Sequence, residues 1–82
     1  MQKQDLEKCV AVALESHNGR ATIIQVSKFI WGNYEKELRA SGDLFFTWQY
    51  DMRWAANQLR HKGIVRAAEI SPKGIWELSS LS

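Results

Sequence analysis

The 82-residue sequence predicts a mainly α-helical domain with a small β-hairpin at its C-terminal end. Three observations carry that expectation. Apolar residues recur at helical spacing through three successive segments. Asn18-Gly19, Ser41-Gly42 and Gly63 punctuate those segments where helices would stop. Beyond Gly63 the period shortens to β-prone runs on either side of Ser71-Pro72-Lys73-Gly74.

The first helix is expected over about residues 5–17, with Asp5 as its cap. Leu6, Val10, Ala13, Leu14 and His17 share one side of it, and Cys9 lies beside them. Asn18-Gly19 ends it, since both residues tolerate the left-handed backbone of a helix C-terminus. Arg20-Ala21 has room only for a bridge or a very short strand. Thr22-Ile23-Ile24-Gln25 then fits a capping box that opens the second helix. Its stripe runs through Val26, Ile30, Tyr34 and Leu38 to about residue 40. After a loop from Gly42 to Phe45, the third helix is expected over about 47–62. Trp48, Met52, Ala55 and Leu59 form its inner stripe. Its outer side carries Gln49, Tyr50, Arg53, Trp54, Asn57, Arg60 and His61. The tail, 64–78, reads as a hairpin of Ile64–Ile70 against Ile75–Leu78. Proline presets the second position of its turn and Lys73 sits at the tip.

The length fits one domain, 1–82. Net charge is only +2, but residues 1–47 balance six basic against six acidic groups, so the whole excess lies in residues 48–82. That half is the better face for an anionic partner. Cys9 is the only cysteine, which excludes a disulfide framework and a thiolate metal site. His17 and His61 lack the paired spacing of a zinc site, so no metal and no cofactor is expected. No catalytic Ser/His/Asp set or phosphate-cradling glycine loop is present, which argues against an enzyme. The polar opening MQKQDLEK and the lack of any long apolar run predict no membrane span and a cytoplasmic location.

Helix, short bridge, helix, loop, helix, hairpin is the order of a winged helix-turn-helix. In that arrangement two helices present the third to the major groove of double-stranded DNA. The third helix supplies suitable chemistry. Arg53 and Arg60 suit guanine or phosphate, and Gln49 and Asn57 suit adenine. From the wing, Lys73 and Arg66 would touch the backbone, and the start of the second helix can offer N–H groups to a further phosphate. These residues define a DNA-binding module, either a small regulator of transcription or the DNA-reading part of a larger assembly.

Three stretches add a family likeness. His17-Asn18-Gly19-Arg20-Ala21-Thr22 resembles the "GG-x-AT" opening of the winged-helix domain at the N-terminus of Mrr-type restriction endonucleases. Trp54-Ala55, Leu59 and Gly63 resemble its W-A-x-x-x-L-x-x-x-G third helix. Gly74-Ile75-Trp76-Glu77-Leu78-Ser79 is similar to its G-V-W-x-L-T last strand. The matches fall in order over nearly the whole chain, and the resemblance implies a DNA-recognition role. The stretch from Phe29 to Phe46 is longer and more aromatic than the family pattern, and the 82 residues predict the recognition module without the nuclease domain of such endonucleases.

Other readings fit the same residues. The outer face of the third helix also suits a plain solvated surface, with Asp51 and Glu69 as partners for Arg53 and Arg60. Trp48 and Trp76 face inward, Trp54 packs against the hairpin or serves an interface, and Cys9 is a small buried hydrophobe. Phe29, Trp31, Phe45 and Phe46 form either a secondary core or, with Trp54, a homodimer contact. The alternative to DNA binding is therefore a protein-interaction or dimerisation module on the same fold.

Overall fold

Helix α1 spans Asp5–Ser16 and is followed by strand β1, Arg20–Thr22. Helix α2 is Ile23–Arg39, helix α3 is Leu44–His61, and strand β2 is Ile75–Glu77. The computed structural model describes residues 1–79; the last positions of the expected 1–82 domain lie outside it.

The helix ends follow local chemistry. Asn18 adopts φ 61° and closes α1 with a Schellman motif: Asn18 N–H donates to Glu15 O at 3.2 Å, and Gly19 N–H to Leu14 O at 2.7 Å. Gly63, at φ 78°, repeats the motif on α3, with Ile64 N–H donating to Leu59 O at 2.9 Å. The capping box is formed as expected. Thr22 Oγ1 accepts from Gln25 N–H at 3.1 Å, and Gln25 Oε1 accepts from Thr22 N–H at 2.8 Å. Asp5 takes a different part from the one expected. It lies inside the first turn, and its carboxylate accepts from Gln2 N–H at 2.8 Å.

Two helical features depart from the sequence reading. Helix α3 begins at Leu44, so the preceding connection is shorter than expected. Leu44 is buried four residues before Trp48, and this extra apolar step extends the helix toward its own N-terminus. Helix α2 is kinked at Tyr34, whose φ of −127° and ψ of 18° are non-helical. Steps of four overshoot a helical turn by about 40° each, so a stripe through residues 26, 30, 34 and 38 drifts around a straight helix. The kink accompanies full burial of Leu38 alongside Val26 and Ile30.

The sheet is two-stranded and antiparallel, β1 against β2, with Arg20 opposite Glu77, Ala21 opposite Trp76 and Thr22 opposite Ile75. Arg20 and the buried Glu77 also pair through their side chains at 2.9 Å. The expected Ile64–Ile70 strand reduces to one bridge, Val65 to Leu78, supported by Arg66 N–H donating to Glu77 O at 2.8 Å. Beyond it the chain coils, with Ile70 N–H and Ser71 N–H both donating to Ala67 O. The physical reason lies in Ala67-Ala68-Glu69, which lack the β-branched and aromatic side chains that favour a strand. The tight turn also falls one residue later than expected. Pro72 opens it, Ile75 N–H returns to Pro72 O at 3.1 Å, and Gly74 takes φ 81° in the position that requires it.

The core sits where the three helices meet. Leu6, Val10, Leu14, Ile30, Leu38 and Met52 are its largest fully buried members, and Trp48 and Trp76 close its edges. His17 is only half-buried; its Nδ1 hydrogen-bonds Ala13 O at 2.9 Å and its ring meets Phe29 edge-on. Tightly packed residues of this kind hold the outer edge of α3 in a defined orientation.

Candidate nucleic-acid interface

The buried column Leu44, Trp48, Met52, Ala55, Ala56 and Leu59 anchors α3 along its back. That leaves Gln49, Arg53 and Asn57 exposed along the front, one turn apart, and Arg60 half-buried at the end. Arg60 is fixed rather than floating. Its Nε donates to Arg66 O at 3.0 Å, tying the helix to the loop before β2.

A hollow of about 580 Å³ runs along this front. Arg53, Asn57 and Arg60 line it together with Tyr50, Trp54 and Trp76, and Lys3 and Ile23 complete its rim. A second hollow of about 310 Å³ shares Ile23, Arg60 and Trp76 with the first and continues to Ser71 and Lys73. The two form one trench from the middle of α3 to the loop. The structure thus brings Arg53, Asn57, Arg60 and Lys73 onto one continuous surface. Gln49 lies outside it, in a separate cleft with Lys28, Trp31 and Trp48. Arg66 contributes its main chain rather than a place in the trench lining.

Charge in the trench is unbalanced. Lys3, Arg53, Arg60 and Lys73 line it, and among the described residues no carboxylate does. Among the described residues the ion pairs are Arg20–Glu77, Arg39–Glu35 and Lys62–Glu7, none of which uses a trench cation. The partners that a plain solvated surface would require are occupied or unpaired. Asp51 accepts from Thr47 Oγ1 at 2.7 Å instead of meeting Arg53, and Glu69 forms no ion pair with Arg60. A cluster of unpaired cations around aromatic rings attracts an anionic, planar-faced ligand.

Lys3 is the part that sequence spacing does not reveal, whereas Trp54 is on the outer side of α3 as expected. The Lys3 ammonium sits 4.2 Å from the Trp54 ring centroid, a cation–π contact that fixes both in the trench wall. Lys3 precedes α1, and only the packing of α1 on α3 brings it there. Trp54 is half-buried against the core and shares the trench with Trp76, while the loop before β2 lines the other hollow, which Trp54 does not reach.

The remaining aromatics form a secondary cluster between α2 and α3. Trp31 stacks on Trp48 with centroids 6.0 Å apart, and Phe45 lies 6.3 Å from Trp31. The Arg39 guanidinium covers Trp31 at 5.2 Å. Phe29, Trp31 and Trp54 pack against the core, and Phe45 is half-buried against Trp31. Of the residues considered for a dimer contact, only Phe46 is strongly exposed, at 82%.

Elsewhere, burial pushes the Cys9 thiol above its usual pKa, and a hydrogen bond from Tyr34 offsets part of that rise. Among the described residues, no group of three or more His, Cys, Asp or Glu is placed to hold a metal ion. No helix is long and apolar enough to cross a membrane.

No protein-family model, curated protein or solved structure matches this chain.

Proposed function

We propose that this chain is a winged helix-turn-helix module that binds double-stranded DNA. Helix α3 lies in the major groove, and the loop between Val65 and β2 acts as a reduced wing. The observation that carries the reading is the trench of unpaired cations beside α3, with Arg53 and Asn57 projecting from its open edge. The α3 rod of 18 residues is about 27 Å long and fits a groove about 12 Å wide. Arg53 and Asn57 face the base edges, Arg60 and Lys73 hold phosphates, and Lys3 adds a contact beside the groove. Gln49 and Arg66 flank this set. The likeness to the winged-helix domain of Mrr-type endonucleases points the same way, as a proposal about ancestry.

Fluorescence anisotropy of a labelled random duplex across a salt series tests the reading. Three cationic phosphate contacts, from Arg60, Lys73 and Lys3, give a slope of log K against log salt of about −2.7. Lys73→Ala reduces that slope by about one, and Arg53→Ala weakens binding several-fold. Absence of binding at low salt overturns it.

A second reading has its own observation. Phe46 and Tyr50, one turn apart on α3, are 82% and 79% exposed. Such a pair also suits a protein partner or a second copy of this chain. Light scattering decides the homodimer version: a monomer at about 100 µM, where a dimer of micromolar Kd would be largely assembled, removes it.

A further inference from the structure

The far end of the trench carries a site of its own. Ser71 is only 8% exposed, and its Oγ is the buried side-chain polar atom without a partner among the described residues. Buried hydroxyls in native structures are almost always satisfied, so an orphan calls for an explanation. Ser71 lines the smaller hollow together with Arg60, Lys73, Gly74 and Ile23, and among the described residues no carboxylate lines it. Ser71 lines that space, so its unpartnered hydroxyl lies in the wall of the hollow.

Three further donors converge there. Lys73 is exposed at the turn and unpaired. Arg60 is held by its Nε on Arg66 O, which orients the guanidinium and leaves its terminal N–H groups uncommitted among the described residues. Ile23 is the first residue of α2, a helix of 17 residues, and its N–H donates only a long 3.4 Å bond to Gly74 O. The capping box satisfies Gln25 N–H, so the remaining first-turn donors of α2 need an outside acceptor. A helix N-terminus with two cations and a hydroxyl is complementary to a tetrahedral oxyanion.

We propose that this hollow is a binding site for a single phosphate group, held by the Ser71 hydroxyl, the Arg60 guanidinium, the Lys73 ammonium and the first N–H groups of α2. The site deepens the DNA-binding reading and rests on it for the source of the phosphate. Its chemistry is independent of that reading. An internal phosphodiester and a terminal 5′-phosphate carry the same phosphoryl oxygens, and the experiment separates them.

Two measurements on the full chain test the site. In a titration with inorganic phosphate, followed by amide NMR against sodium chloride of matched ionic strength, Ile24, Ser71, Lys73 and Gly74 shift and saturate at millimolar phosphate. Ser71→Ala and Lys73→Ala each abolish saturation while the thermal melt stays within a few degrees. Shifts that follow ionic strength alone, or that persist in both variants, overturn the site. In the second measurement, anisotropy compares a duplex with and without 5′-phosphates. Ser71→Ala weakens both about three- to tenfold if the site takes an internal phosphodiester, and only the phosphorylated duplex if it takes an end. Duplex binding untouched by both variants overturns the site and leaves the DNA reading standing. Saturation by inorganic phosphate with no duplex binding sinks the DNA reading and leaves the site standing.

Discussion

Arg53 and Cys9 mark the two extremes of what one side chain contributes here. Arg53 projects into solvent from α3 with no ion-pair partner among the described residues. Surface positions of that kind contribute within about 0.5 kcal/mol to stability. Arg53→Ala is therefore expected to lower DNA affinity without moving the urea midpoint, and a shifted midpoint contradicts the assignment. Cys9 is the opposite case, almost fully buried in the core. Burial, partly offset by the hydrogen bond from Tyr34, raises its pKa above the ordinary 9.0. A raised pKa means the folded state favours the neutral thiol. The resulting stabilisation is fully present below the unfolded thiol's ordinary pKa and is lost as pH rises through the folded value. Tyr34, raised from 10.0 mainly by burial, adds the same sign at higher pH. Thermal melts between pH 8 and pH 10 are expected to fall, and Cys9→Ala flattens the first part of that fall. An identical profile in the variant counts against this account.

At the scale of elements, the ends of the helices were largely legible and their courses were not. Asn18-Gly19 and Gly63 act on the one or two residues beside them, so a sequence window contains everything they need. The same is true of Thr22 and Gln25. Thr22→Ala removes an acceptor for Gln25 N–H and is expected to cost about 1 kcal/mol, measured by urea unfolding. A loss below a few tenths would show that β1 pairing, not the cap, starts α2. The kink at Tyr34 and the start of α3 at Leu44 were missed, because each answers to where the rest of the core lies. The expected C-terminal hairpin illustrates the same limit. Ile64 to Ile70 looked like a strand by composition, yet Val65 alone bridges, to Leu78.

At the scale of the whole molecule, one small core supports everything described. Leu14 and Leu59 are buried on α1 and α3, where the two helices meet. Leu14→Ala is expected to cost about 2–5 kcal/mol, a large share of the roughly 5–15 kcal/mol that holds a domain of this kind. A melting temperature lowered by less than about 8 °C would contradict the packing described, by the usual scaling of about 4–8 °C per kcal/mol for small domains. The same variant should weaken DNA binding only in proportion to the unfolded fraction, since Leu14 lies outside the trench. The cationic trench is likewise a product of assembly. Lys3 from the N-terminal arm, Arg53 and Arg60 from α3 and Lys73 from the turn before β2 share a surface only once α1, α3 and the sheet are packed.

The order of the three helices, the capping box of α2, the stops at Asn18-Gly19 and Gly63, the inner stripe of α3 and the outward set Arg53 and Asn57 were all written in the linear chain, whereas the expected Asp5 cap was not. Each depends on contacts within about one or two helical turns, which periodicity and capping chemistry report directly. The tertiary structure alone decided that β2 takes β1 as its partner, that Lys3 joins the trench, that Gln49 and Arg66 fall outside it, and that Ser71 is sealed without a partner. Those outcomes join residues far apart in sequence, such as Ala21 and Trp76. Pairing over that distance is set by how the helices pack between them, which no local window of sequence contains.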